Sequence, residues 1–136
     1  MKLEQMMELA EQDAKIDYTE IGQEALKTTT LIVKWLKIFS TEKVTYLQLK
    51  RQYDGDKKEK WEYYSGKGEK PFEHRLLKTD VPLYLDNDPD LTKIKDRLDL
   101  QEVKLNFIET FIKALQQRGY NVKAALDYLK FTSGAG

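Results

Sequence analysis

The chain has 136 residues, 40% hydrophobic and 34% charged, enough for one modest core and the balance of amphipathic helix rather than of a disordered chain. Lys+Arg is 23 and Asp+Glu is 23, so a histone-like cationic surface is excluded and any nucleic-acid binding must come from a local patch. The absence of Cys excludes disulfides, thiol nucleophiles and Cys-ligated zinc, and the single histidine, His74, excludes a multi-histidine metal site within one chain.

Proline placement sets the class. Pro71, Pro82 and Pro89 all lie between 71 and 89, which leaves residues 1–65 and 90–132 free to be helical. No alternating run of β-branched residues is bounded by turns, so the expectation is an all-α protein. A first helix is expected over Leu3 to Lys15. A second starts near Thr19 and runs to Ser40, with Ile21, Ala25, Ile32, Trp35 and Phe39 on one face. Leu26, Val33 and Leu36 widen that face on one side, and Leu31 and Ile38 on the other, so this helix needs partners on two sides. A third helix is expected to start at Ser40-Thr41-Glu42 and reach Tyr64, with Gly55 as a weak point.

Residues 66–88 lack a period and read as an irregular connector, opened by the turn-forming Ser65-Gly66-Lys67-Gly68. Asp88-Pro89 then reads as a helix N-cap and first helical residue. The helix it starts is expected to stop at Gly119, with Asn121 capping a short last helix and 133–136 forming a flexible tail. The whole, 1–136, reads as a single helical domain.

The long fourth helix has the strongest pattern. Leu91, Ile94, Leu98, Gln101, Leu105, Ile108, Ile112 and Leu115 alternate in steps of three and four, an a/d register in which Gln101 is the polar member. A second stripe, Leu100, Val103, Phe107, Phe111 and Ala114, lies nearly opposite. Two apolar faces require two sets of partners, which favours a homo-oligomer over a buried central helix in a monomer. The candidate subunit interface is Leu105, Phe107, Ile108, Phe111, Ile112 and Leu115.

Enzyme signatures fail in turn. Gly66-Lys67-Gly68 lacks the strand before it and the Gly-Lys-Ser/Thr of a phosphate loop. Asp86, Asp88 and Asp90 have the opening spacing of a calcium loop, but Leu91 stands at its sixth place and Arg97 at its twelfth, so a helix start is the better reading. His74 has no nucleophile partner in any local motif. Neither enzyme activity nor a cofactor or metal is expected. Met1 to Ala10 lacks the pattern of a signal peptide, and the apolar run Leu31 to Phe39 is far short of the ~20 residues that span a bilayer. An intracellular, soluble protein is expected.

Tyr46, Lys50, Tyr53, Lys57, Lys60 and Tyr64 recur in steps of four and three on one helix face, with Lys58 and Trp61 beside it and Lys67 and Lys70 following. Residues 43–78 hold ten Lys/Arg against six Asp/Glu, whereas 79–102 hold three against seven. Lysines interleaved with aromatics suit single-stranded nucleic acid, because ammonium groups displace phosphate counterions while rings stack on unpaired bases. On periodicity alone, a helix with packed tyrosines and solvated lysines is the plainer reading.

Trp61-Glu62-Tyr63-Tyr64-Ser65-Gly66-Lys67-Gly68, with Lys57, Lys58 and Lys60 before it, resembles the UvsY family of recombination mediators of T-even-like bacteriophages. Ile16-Asp17-Tyr18-Thr19, Lys34-Trp35-Leu36 and Arg118-Gly119-Tyr120 follow the family pattern collinearly, and Gly55 departs from it. The resemblance implies a non-enzymatic protein that binds single-stranded DNA without sequence preference and forms a ring-like homo-oligomer of six or seven subunits. It further implies loading of a RecA-like phage recombinase onto DNA covered by single-strand-binding protein, in the cytoplasm of the infected host. The family's DNA-binding basic residues correspond here to Lys58 and Lys60. The expected DNA site is Lys57, Lys58, Lys60, Tyr64 and Lys67, with either Tyr64 or Trp61 as the stacking face. The competing expectation is an oligomeric helical adaptor that contacts only other proteins.

Overall fold

The computed structural model describes residues 1–68, 72 and 76–134. The described residues form α1 (Leu3–Ala14), a 3-10 turn (Tyr18–Glu20), α2 (Ile21–Tyr64), α3 (Val81–Asp86) and α4 (Pro89–Thr132), with no strand among them. The all-α expectation holds. Among the described residues no helix is long and apolar enough to cross a membrane. The chain that reads as one helical domain divides into two compact units, Met1–Thr41 with Lys104–Gly136 and Glu42–Val103. Both long helices contribute to each.

In the first unit Met6 and Ala10 of α1, Trp35 of α2 and Ile108, Phe111 and Leu115 of α4 are buried together. Trp35 meets Phe111 edge to face at 4.7 Å, and its indole N–H donates to Asp13 at 2.9 Å, so the large ring is buried with its one polar atom satisfied. Arg118 joins three segments. Its guanidinium is ion-paired with the buried Glu24 and donates to Thr28 Oγ1 at 2.9 Å and to the Lys15 carbonyl at 3.3 Å. Burial pushes the Glu24 carboxyl up, but the hydrogen bonds from Lys27 and Arg118 outweigh it and hold the group below its ordinary range.

Two expected helix breaks are absent. Ser40 and Thr41 lie inside α2, where each hydroxyl donates to the carbonyl four residues back, Leu36 at 3.0 Å and Lys37 at 3.1 Å, instead of capping a new helix. Gly119 lies inside α4. A Cβ placed there would come within 3.2 Å of the Thr28 methyl, so this glycine answers to close approach against α2 rather than to chain termination. Within the expected irregular connector, Val81–Asp86 is helical. Val81 and Leu85, one turn apart, are buried, but a single such pair is too short to register as a period.

The a/d register of α4 is the protomer's own core face, since Leu91, Ile94, Leu98, Gln101, Leu105, Ile108 and Leu115 are all buried. The interface expectation is corrected by the same burial. Leu105, Ile108, Phe111 and Leu115 belong to the protomer's own core, while Phe107 and Ile112 are half-buried. Phe111 belongs to the second stripe, yet it is buried in the core against Trp35.

Gln101 explains its place in an apolar register. In the second unit its side-chain amide donates to the Glu42 carbonyl at 2.8 Å and to the Glu42 carboxylate at 2.6 Å. Replacing it with an apolar residue withdraws both donors from buried acceptors. Gln101→Leu is therefore expected to lose about 1–3 kcal/mol in urea unfolding, although it adds a leucine to the seam.

Candidate nucleic-acid interface

The C-terminal end of α2 ends in a tight reversal. Gly66, at φ 77°, occupies the left-handed position, with its N–H on the Tyr63 carbonyl at 3.1 Å and the Lys67 N–H on the Glu62 carbonyl at 2.8 Å. These two bonds satisfy carbonyls that the helix end would leave open, and a left-handed glycine makes them possible. The result fixes where Lys67 stands. Its ammonium lies 5.2 Å from the centre of the Trp61 ring.

The other expected site residues separate into two groups. Lys57 and Lys58 are exposed, and the helix places Trp61, 40% exposed, on the flank between them one turn later. Lys67 is exposed as well. Lys57 Nζ lies 5.8 Å from the Tyr53 ring centre. These four side chains form a cationic–aromatic surface open to solvent.

Lys60 and Tyr64 face the other way. The Tyr64 ring packs edge to face with Tyr63 and Phe72 at 5.0 and 5.2 Å and lies 5.7 Å from Tyr84. Its hydroxyl donates to Asp88 at 2.6 Å. Tyr64 was one of two candidate stacking faces, with Trp61, and both its ring and its hydroxyl are engaged within the protomer. Lys60 pairs with Asp90 at 2.8 Å and with Asp88 at 3.4 Å. Its hydrogen bond to Asp90 holds the ammonium above the ordinary lysine range, against the opposing pull of burial. Burial and the Asp88 hydrogen bond push the Tyr64 phenol to about 12.

Asp88 was read as a helix start, and it is one. Its second carboxylate oxygen accepts from the Asp90 and Leu91 N–H groups at 3.0 and 3.1 Å, and Pro89 opens α4. Asp86 and Asp90 do not join it in a metal cluster. Among the described residues no group of His, Cys, Asp or Glu is arranged to hold a metal ion. His74 and Lys70 lie outside the described residues. Sequence reasoning passed over Asp88 and Asp90 as partners of Lys60 and Tyr64, although the acidic excess after residue 79 was the signal.

The structure so far defines an all-α protein built on two 44-residue helices, with a solvent-open cationic–aromatic surface at the end of one of them. Residues 9–135 match the family described as recombination, repair and ssDNA binding protein UvsY, and the chain belongs to that family. The recombination protein UvsY of Enterobacteria phage T4 is 30% identical, the match covering 98% of this chain and 99% of that protein. Crystal structures of the bacteriophage T4 recombination mediator protein UvsY superpose with TM-scores of 0.92 and 0.91. The first is 30% identical and covers 98% of each chain; the second is 28% identical and covers 96% of this chain and 99% of that one.

The Asp88 node predicts an acid-sensitive fold. Burial raises its pKa, but the hydrogen bonds from Tyr64 and Leu91 and the Lys60 charge together bring it below the ordinary carboxylate value. A lowered folded-state pKa stabilises above the unfolded value near 3.9, and that stability is lost as pH falls through the folded value. Asp88→Asn is expected to be less stable at neutral pH and to show a shallower loss as pH falls below about 4, read by urea midpoints across pH.

Proposed function

We propose that this protein is a phage recombination mediator that binds single-stranded DNA without sequence preference. Membership of the UvsY family is the observation that carries this reading, and the open surface at the end of α2 supplies chemistry that fits it. Lys57, Lys58 and Lys67 contact phosphates, and Trp61 offers the stacking face that Tyr64 cannot turn outward. Ammonium groups alone attract any polyanion; an exposed indole between them favours a strand whose bases are unpaired. The protein acts in the cytoplasm of the infected host, loading a RecA-like recombinase onto DNA covered by single-strand-binding protein.

Assembly completes the mechanism. A ring-like homo-oligomer of six or seven subunits repeats one weak site, so a flexible strand gains avidity from effective concentration. Holding the strand along such a path weakens its grip on the competing binding protein and opens a place for recombinase to nucleate. The subunit contacts are assigned to apolar side chains that the protomer leaves outside: Leu26, 80% exposed, with Val33 and Leu36 in the first unit, and Leu100 and Val103 in the second. Ile112, half-buried, lines a shallow groove with Leu36 of the first of these surfaces, and Phe107 is half-buried against the first unit's core.

Two measurements test the reading. Lys57→Ala with Lys58→Ala should weaken binding to oligo-dT and to mixed sequences alike and reduce the salt slope by about 0.7 for each phosphate contact removed. Trp61→Ala should weaken binding by about 1–3 kcal/mol while leaving most of that slope in place. Wild-type protein with no salt-sensitive affinity for single strands would instead favour the adaptor alternative. For assembly, Leu26→Asp with Val33→Asp should lower the solution mass by light scattering at unchanged helicity, because the charges would enter a dry contact. An unchanged mass removes these residues from the interface.

A further inference from the structure

Lys60 stands apart within its basic run: Lys57 and Lys58 are open to solvent, whereas two carboxylates hold Lys60. We infer that Asp90 stands in for a DNA phosphate at Lys60, so that a strand gains this lysine only by displacing Asp90, and each site is thereby kept weak. The inference deepens the single-strand reading above and rests on it.

The two carboxylates have different duties. Asp88 is 2% exposed and engages the Tyr64 hydroxyl, two backbone N–H groups and, at longer range, Lys60. It cannot leave without breaking the start of α4. Asp90 is bound to Lys60 more closely, at 2.8 Å, but its side chain is 77% exposed. When it releases Lys60, its carboxylate returns to water and no buried donor loses a partner. Asp90 is thus the exchangeable ligand and Asp88 the permanent one.

The surroundings support exchange with a phosphate from solvent. Lys60, its own side chain 29% exposed, lines an open cleft of about 820 Å³ with Tyr63, Tyr64 and Gly68 on its walls. Glu59 and Glu62 line it as well, so the described lining has a negative balance, with Lys60 as the cation among the described residues. An entering phosphate therefore meets repulsion as well as the Asp90 contact. The outward lysines, Lys57 and Lys58, carry no such charge partner among the described residues. They engage first, and Lys60 joins only where the strand is already held.

The test compares wild type, Asp90→Asn, Lys60→Ala and the combined variant on a short oligo-dT across a salt series. Asparagine keeps the shape of Asp90 and removes its charge. Asp90→Asn is expected to bind two- to fivefold more tightly at low salt, with a slope steeper by about 0.7, the increment of one added phosphate contact. Both gains should vanish when Lys60→Ala is added. If Asp90→Asn retains wild-type affinity and slope, the inference fails and the single-strand reading stands. If it gains equally without Lys60, the effect is one of general charge, and the inference fails as well. Wild type that shows no salt-sensitive binding overturns the single-strand reading itself, and the role of Asp90 falls with it.

Discussion

Burying the Asp88 carboxylate at the start of α4 constrains everything around it. A charge removed from water needs donors, and this one has three kinds: backbone N–H groups of the helix it caps, a phenol from α2 and an ammonium from α2. Satisfying it fixes the rotation of α2 within the second unit, because Tyr64 and Lys60 must both point to the same oxygen. Once that face is committed inward, the adjoining flank with Lys57, Trp61 and Lys58 is committed to solvent. The open surface is therefore a consequence of how one buried charge is neutralised.

The same neutralisation resolves an ambiguity that helical spacing leaves open. Tyr46, Tyr53, Lys60 and Tyr64 share a face, and shared spacing cannot distinguish a packed ring from a stacking one. In the structure Tyr46 donates to Glu102 at 3.2 Å, Tyr53 packs against the second unit's core and Tyr64 sits among Tyr63, Phe72 and Tyr84. Trp61, off that face by one flank, is the ring left half-open. Its nitrogen heterocycle has the broad, polarisable surface that a base requires, and Lys67 shows that a cation already finds that surface favourable.

Long-range periodicity was legible in the sequence, and local punctuation was not. The a/d register of α4 is the core face because every step of three or four returns to the same side of a continuous helix. Ser40-Thr41 and Gly119 read as ends because their residue types suit caps, but tertiary contact decided otherwise. Serine and threonine found helix carbonyls to bond, and glycine made room for Thr28. A capping residue is a local preference worth about 1 kcal/mol, and an uninterrupted apolar seam on either side of it outweighs that. The candidate interface failed for the related reason that a periodic stripe says a face is buried without saying by what. Of its six residues, Leu105, Ile108, Phe111 and Leu115 are covered by the protomer itself.

A mediator has to hold DNA firmly enough to compete with one protein and loosely enough to give way to another. Strong individual sites would satisfy the first demand and defeat the second. Many weak sites satisfy both, because avidity multiplies modest affinities while each contact still dissociates quickly. Sequence gives this chain a zero net charge rather than a basic one, and the structure sets acidic side chains beside part of its cationic patch. In a protein meant only to bind DNA tightly, those carboxylates would be a liability. Under the proposed reading, in which strength comes from repetition, restraint at each site lets the strand be handed on.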